Sequence, residues 1–235
     1  MSRPPQLAGA LDDLEKHYGR PDAPPSRDPF ELILWENVAY LVTDEKRGGA
    51  FAALKRQVGT TPERILAAPP RTLRQVAAQG GMLPDLRVGK LLRSAEIART
   101  RFQSDLAAAA RQPLPAARKA MAKFPGIGEP GAEKVLLFSG HHPVFAMDSN
   151  VMRVLLRLGF GEEKKAYAAT YRSVQEAATA QAREDCGWLT QAYQLLRRHG
   201  QELCRRTRPR CPDCPCRGRC AFYARGVPPS GKRRV

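Results

Sequence analysis

The sequence predicts an all-α protein, and three observations predict it. Apolar residues recur three and four positions apart through most of the 235 residues, which lays them along one face of a helix. Proline and glycine fall where helices begin and end. No run alternates apolar and polar side chains with the period of two that a half-buried strand requires, and no segment repeats. A hydrophobic content of 43% supplies a packed core, and the length suits one large domain or two small ones.

In chain order, Leu7 to Tyr18 reads as a short amphipathic helix closed by Gly19, followed by the Pro-rich connector RPDAPPSRDP. Asp28-Pro29 is a helix start, with proline in the first turn, where its missing N–H is no loss. Phe30, Ile33, Leu34, Val38 and Leu41 recur at helical spacing, so ILWENVAYLVTDEKR is read as part of that helix. Thr61-Pro62-Glu63 opens another helix, which Pro69-Pro70 ends. Thr72 to Ala78 is a short helix stopped by Gly80-Gly81, and Lys90 to Ala109 is a longer one. Pro113-x-Pro115 precedes a helix through Lys123. Val151, Val154, Leu155 and Leu158 mark the next, and Trp188 to His199 another. From Arg225 onward the composition is Pro, Gly and basic residues, that of a disordered tail.

Five of the six cysteines lie between 204 and 220, too crowded for a useful disulfide frame. Cys204, Cys211, Cys214 and Cys220 form C-x6-C-x2-C-x5-C. Zinc sites favour two short C-x2-C pairs, and only one exists here. The asymmetric loop fits a [4Fe–4S] cluster on four thiolates, with four-thiolate zinc the alternative. Cys216 is surplus to this pattern, and Cys186 reads as a small buried hydrophobe. The opening residues contain no apolar leader, and no apolar run approaches the roughly 18 residues of a bilayer span. The expectation is a cytoplasmic protein with no membrane role, in a reducing compartment where thiolates ligate metal.

The net charge of +16 points to a polyanionic partner, nucleic acid first, against the plainer reading of a solubilising surface. Arg197-Arg198, Arg205-Arg206, Arg208, Arg210, Arg217 and Arg219 gather around the cysteine loop, where a phosphate-facing surface would be.

Phe124 to Gly128 reads Phe-Pro-Gly-Ile-Gly between two helical patterns. Pro125 stops the first helix. Gly126 and Gly128 permit a tight turn and close approach to a partner, and Ile127 plugs the gap between the helices. A second helix begins near Glu129, with Pro130 in its first turn. The N–H groups of such a hairpin point outward toward a phosphate oxygen. An ordinary glycine-containing turn is the alternative.

FPGIGEPGAEKVLLFSG, then HPVFAMDSNVMRV, then HGQELC with its cysteine loop, resemble in order and spacing the endonuclease III branch of the helix–hairpin–helix (HhH-GPD) DNA glycosylases. The resemblance runs from about Pro29 to Cys220. It implies a two-domain all-α glycosylase fold with a C-terminal iron–sulfur cluster loop. A six-helix domain would span 28–142, with its hairpin at 124–128, and a cluster domain would join 1–27 to 143–235. It also implies a monomer acting on double-stranded DNA that carries a damaged or mismatched base, in the cytoplasm and, in a bacterium, at the nucleoid.

The family's essential aspartate corresponds to Asp148 in AMDSNVMRV. Breaking an N-glycosidic bond builds positive charge on the deoxyribose, which a fixed carboxylate stabilises while orienting a water. Asp148 also reads as the N-cap of the following helix, and the two roles are compatible. Bifunctional members carry a lysine in G-x-G-x-K, and here G-I-G-E-P puts Pro130 in that slot. Proline has no amine to attack C1′, so the departure implies a monofunctional glycosylase. Lys134 lies one turn along the same face. It reads as a surface lysine or phosphate contact, with a lyase role the alternative. The helix after Pro29 corresponds to the family helix that lines the base pocket and carries a wedge into the DNA. The family's usual glutamine is missing from its setting, and Glu36, Asn37 and Tyr40 are the polar or aromatic candidates. Trp35 and Tyr40 read equally as core, and Glu36 as a solvated position. A non-catalytic lesion-binding protein on the same fold is the remaining alternative.

Overall fold

The structure is a computed structural model that describes residues 5–226. Among these residues every regular element is helical, as the sequence predicts. The expected disordered tail lies, from residue 227 onward, outside the described residues. The chain forms two compact units. One contains the residues from Ala23 to His142, and the other joins those up to Asp22 to those from Pro143 onward.

The unit beginning at Ala23 contains α2 (Pro29–Val38), α3 (Asp44–Gln57), α4 (Pro62–Ala67), α5 (Pro70–Gln79), α6 (Pro84–Phe102), α7 (Leu106–Ala110), α8 (Leu114–Met121) and α9 (Glu129–Phe138). Six helices were expected here. The two additions are α3, expected as part of the helix after Pro29, and the five-residue α7, expected as the end of the helix over 90–109. Side-chain caps start several of these helices. Asp28 accepts the Glu31 N–H at 2.8 Å, and Thr43 and Thr61 accept those of Lys46 and Arg64 at 3.3 Å. The core is one cluster running from Phe30 to Leu136, with Ile33, Leu34, Leu54, Leu91, Met121 and Leu136 fully enclosed.

Two expectations are corrected here. The helix after Pro29 stops at Val38 and does not continue through Leu41. Ala39 is extended, the Tyr40 N–H donates to the Gly80 carbonyl at 3.1 Å, and Leu41 takes φ 53°. A separate α3 then starts behind its own Thr43 cap. The break is a tertiary event. Gly80 approaches so closely that a Cβ there would lie 2.0 Å from the Val38 carbonyl. The helix expected over 90–109 begins instead at Pro84, and it ends at Phe102, where Gln103 and Ser104 have φ 51° and 63°. Asp105 then caps α7 through the Ala108 N–H at 2.9 Å.

The other unit contains α1 (Leu7–Tyr18), α10 (Ser149–Leu158), α11 (Tyr167–Thr179), α12 (Cys186–Glu202) and a four-residue α13 (Ala221–Ala224). Two 3-10 turns, Cys211–Asp213 and Arg217–Arg219, shape the cysteine loop. The sequence reading had passed over α11. Leu7, Leu14, Val151, Leu155, Val174 and Leu196 are fully buried in this unit. Asp185 caps α12 through the Trp188 N–H at 2.6 Å, and α1 is tied in by its Leu7 N–H to Gln181 Oε1 at 2.9 Å.

Two glycines test this packing in opposite directions. Gly80→Ala must displace backbone and is expected to lower stability by about 1–3 kcal/mol. Gly89, inside α6, has nothing within 4 Å of a built Cβ, and Gly89→Ala is expected to raise stability by about 0.5–1 kcal/mol. Urea unfolding of both variants beside the parent chain reads both signs.

Candidate active site and cysteine loop

Asp148 sits at the N-cap of α10. Its Oδ1 accepts the backbone N–H groups of Asn150 and Val151 at 2.8 and 2.9 Å. Two orphan donors of the first turn are thereby satisfied, and the carboxylate is fixed against the positive end of the helix. Its other oxygen, Oδ2, lies 3.4 Å from Asn150 Nδ2 and 3.5 Å from Arg197 Nε. The side chain remains 30% exposed. Met147, just before it, donates its N–H to the Tyr171 hydroxyl at 3.3 Å. Tyr167, in tilted ring contact with Tyr171, has its phenol pushed above the ordinary value by burial and by the negative charge of Asp148.

The same helix organises the cysteine loop. Arg153 donates to the Cys204 carbonyl at 2.9 Å, the Gly200 carbonyl at 2.6 Å and Asn150 Oδ1 at 2.8 Å. Arg157 donates to Cys204 Sγ at 3.3 Å and to the Arg205 carbonyl at 2.7 Å, and its guanidinium lies 4.8 Å from the Phe222 ring. Cys204, Cys211, Cys214 and Cys220 line one pocket with Arg157, His199, Leu203 and Phe222. No three metal-ligating side chains among the described residues converge on a single ion position. All four cysteines are free of disulfides.

Burial pushes the Cys204 thiol up, but hydrogen bonds from His199 and Arg157 leave it below its ordinary value. The Cys214 thiol is also lowered, by a hydrogen bond with Cys216 and, against burial, by His199. His199 stands between Tyr18, whose hydroxyl is 3.1 Å from Nδ1, and Cys214 Sγ at 3.5 Å from Nε2. Its partnership with the thiols of Cys204 and Cys214 overcomes burial and raises it to about 9. At Cys204 and Cys214 these partners favour the thiolate, which is the ligating form, whereas burial pushes the Cys211 and Cys220 thiols up. Four soft sulfur donors lining one pocket, with Arg157 against Cys204 and His199 against Cys214, suit an iron–sulfur cluster. Cys216 is not part of the lining. Its buried Sγ lies 3.7 Å from the Ala10 carbonyl.

In the unit beginning at Ala23, the hairpin forms between α8 and α9. Gly126 has φ 75°, and Ile127 is buried with its N–H bonded to the Phe124 carbonyl at 3.1 Å. A Cβ at Gly126 would stand 3.0 Å from Asn37 Oδ1 and 3.4 Å from Lys90 Nζ, so the position requires glycine twice over. Gly126 and Gly128 are exposed, and Pro125 is half-buried. Arg118 of α8 bonds the buried Glu133 of α9 at 2.7 Å and holds the two hairpin helices together.

The base-pocket candidates go to three different places. Glu36 Oε2 pairs with Lys134 Nζ at 2.7 Å, with side chains 22% and 18% exposed. Asn37 is buried, donates to the Ile33 carbonyl at 3.1 Å and braces the hairpin. Tyr40 is on a loop, not a helix, and is exposed. Trp35 is edge-on to Phe51 with ring centroids 5.4 Å apart, on the core side.

Sequence reasoning missed the surface beside Tyr40. The 39–43 and 80–83 segments run together, and a Cβ at Gly81 would lie 2.7 Å from Val42 Cγ1. Arg87, buried under the second segment, donates to the Ala77 carbonyl at 2.7 Å and also to that of Gly81. Tyr40, Leu41, Met82, Leu83 and Leu86 are left facing solvent, Leu41 at 77%. Leu41 and Leu83 both hold positive φ, a conformation disfavoured for leucine and maintained only where surrounding structure enforces it. A leucine in Leu-Val-Thr or Met-Leu-Pro gives no local signal of this. Arg197, beside Asp148, was noticed only as part of a basic cluster.

No family model matches the chain. Endonuclease III of Sulfolobus acidocaldarius is 29% identical over 201 residues, covering 84% of each chain. The endonuclease III of Thermotoga maritima is 26% identical over 198 residues, covering 84% of this chain and 85% of its own. Among solved structures, a trapped endonuclease III–DNA covalent intermediate superposes with TM-score 0.71 at 22% identity, covering 93% of this chain and 96% of that one. A thermostable thymine-DNA glycosylase superposes with TM-score 0.72 at 18% identity, over 93% and 95%.

Two outcomes follow from the local geometry. Asp148→Ala loses the helix cap and is expected to cost about 0.5–2 kcal/mol in thermal unfolding, whereas Asp148→Asn keeps an accepting oxygen and most of that stability. If the loop holds an iron–sulfur cluster, Cys214→Ala is expected to purify with less iron and weaker visible charge-transfer absorption than the parent chain. Full retention of iron would mean that Cys216 had turned into the pocket and replaced it.

Proposed function

We propose that this chain, whose fold is that of endonuclease III, is a base-excision-repair DNA glycosylase working without an amine nucleophile. The observation that carries the reading is Asp148. Its carboxylate is held through Oδ1 by two backbone N–H groups, which leaves Oδ2 with only the longer contacts to Asn150 and Arg197. Glycosidic cleavage develops an oxocarbenium-like sugar, and a preorganised carboxylate is the group that such a charge needs. A carboxylate already bound on one side spends no reorganisation when the charge appears. The same oxygen orients a water for addition at C1′, and the proton passes from water to the departing base or to solvent.

A monofunctional reaction is supported by two residues. Pro130 supplies no amine, and Lys134 is held by Glu36 at 2.7 Å as half of an ion pair. A lysine nucleophile would have to leave that contact to reach C1′. The reading of Lys134 as a lyase nucleophile is therefore the weaker of the two.

Binding follows the same chemistry. The exposed N–H groups around Gly126 and Gly128 suit a backbone phosphate. Leu41 and Leu83 are the wedge residues of this proposal. Apolar side chains presented rigidly on paired loops fit insertion between base steps, which offsets the loss of stacking when a nucleotide is extruded. Glu36 and Tyr40 remain the candidates for contact with the extruded base. The four loop cysteines, Cys204, Cys211, Cys214 and Cys220, would hold a [4Fe–4S] cluster. Hydrolysis consumes no electrons, and the cluster's contribution when bound is to fix the basic loop. No described helix is long and apolar enough to cross a membrane.

The test is a panel of duplexes, each with one damaged or mismatched base, scored for strand breaks with and without hot alkali. Breaks that require alkali are expected, with Asp148→Asn slower by about 10²–10³-fold, the range for removing one preorganised electrostatic contact. Breaks without alkali that disappear in Lys134→Ala would establish the lyase reading instead. A chain that binds every duplex and cuts none would be a lesion-binding protein.

A further inference from the structure

Only one oxygen of Asp148 is available to a substrate, and it is covered. Oδ1 is committed to the Asn150 and Val151 N–H groups. Oδ2 has Arg197 Nε at 3.5 Å and Asn150 Nδ2 at 3.4 Å. Both contacts are longer than the roughly 2.7–2.9 Å of a fully formed charge-assisted bond. Arg197 belongs to α12, and its side chain is 25% exposed. This arrangement opposes the proposed chemistry. A cation resting on the carboxylate oxygen competes with the positive charge that forms on the sugar, and that competition is strongest where water is excluded. The capping bonds to Oδ1 already orient the carboxylate, so a guanidinium is not needed for that purpose.

We propose that Arg197 is a latch on Asp148 that a DNA backbone phosphate exchanges. It covers Oδ2 while no DNA is bound. When a strand is seated, the guanidinium transfers to the phosphate beside the extruded nucleotide and leaves Oδ2 to the sugar. The inference rests on Asp148 being the working carboxylate. Three observations carry it: the long Oδ2 contact, the partly exposed Arg197 side chain, and the independent fixation of the carboxylate through Oδ1. A phosphodiester presents paired anionic oxygens that the planar guanidinium fork bonds at least as well as a carboxylate. It is also the anion that always arrives with the substrate. The carboxylate is thus uncovered only in the complex, where it is needed. No covalent bond changes in this step. One ion pair is exchanged for another.

Arg197 is accordingly a positioning residue, and its effect should fall on binding and not on the saturated rate. The test compares the parent chain with Arg197→Met and Arg197→Lys, each checked for unaltered thermal unfolding. Binding is measured on a duplex carrying an uncleavable abasic analogue across a range of salt. Excision is measured under single-turnover conditions on the duplex that the panel identifies. Arg197→Met is expected to weaken binding about three- to tenfold and to flatten the plot of log Kd against log salt by about one phosphate's worth. Arg197→Lys should keep that slope. The excision rate at saturating protein should stay within about threefold for Arg197→Met, the pattern of a lost binding contact. A saturated rate that collapses in Arg197→Met with an unchanged salt slope would overturn the latch and make Arg197 a partner of Asp148 throughout the reaction. An unchanged salt slope with an unchanged rate would overturn it as well. A parent chain that binds the analogue and excises nothing would instead remove the glycosylase reading beneath the proposal.

Discussion

The position of the Asp148 carboxylate depends on a helix cap. Two backbone N–H groups at the start of α10 bond one oxygen, and the remaining oxygen is therefore directed by main-chain geometry and not by a flexible side chain. A group asked to stabilise a transient positive charge gains from such rigidity, because it does not have to reorient when the charge forms. The same bonds stabilise the helix that carries the carboxylate, so fold and chemistry draw on one interaction at this position.

From that helix the influence passes to the cysteine loop. Arg153 and Arg157 stand one turn apart on α10, and between them they bond the carbonyls of Gly200, Cys204 and Arg205. Asn150 links Arg153 back to Asp148. The loop that would hold a cluster and the carboxylate that would act on a sugar are thus supported by one rigid element. Arg157 also reaches Phe222 beyond the last cysteine of the loop, so one side chain touches the loop near its beginning and its end. Guanidinium groups suit this task, since each presents several donors in one plane to carbonyls that would otherwise lack partners.

In the other unit, restraint takes different forms. The hairpin depends on Gly126 because Asn37 and Lys90 stand where a side chain would go. Lys134 is placed one turn from the slot that Pro130 occupies, and an ion pair with Glu36 at 2.7 Å holds its side chain. Leu41 and Leu83 are held in a conformation that leucine avoids, by the buried Arg87 and by glycines pressed against neighbouring backbone. Exposed apolar side chains maintained at such strain suggest a surface shaped for contact.

The sequence by itself determined the helical class, the hairpin, the cysteine spacing and Asp148 as the cap of α10. These are legible because each is local: helical periodicity, a Pro-Gly-x-Gly turn, a run of thiols and a cap residue ahead of an apolar face all act within a few positions of one another. The end of α2 was not legible, because its periodicity continues to Leu41 and only the approach of Gly80, some forty residues away, breaks it. The Thr43 cap with its acidic first turn was a missed local signal for α3. Tertiary structure alone placed Tyr40 on an exposed loop, joined Glu36 to Lys134, turned Cys216 away from the cysteine pocket and set Arg197 against Asp148. Each of these depends on which distant backbone comes close, and side-chain spacing along a chain does not encode that distance.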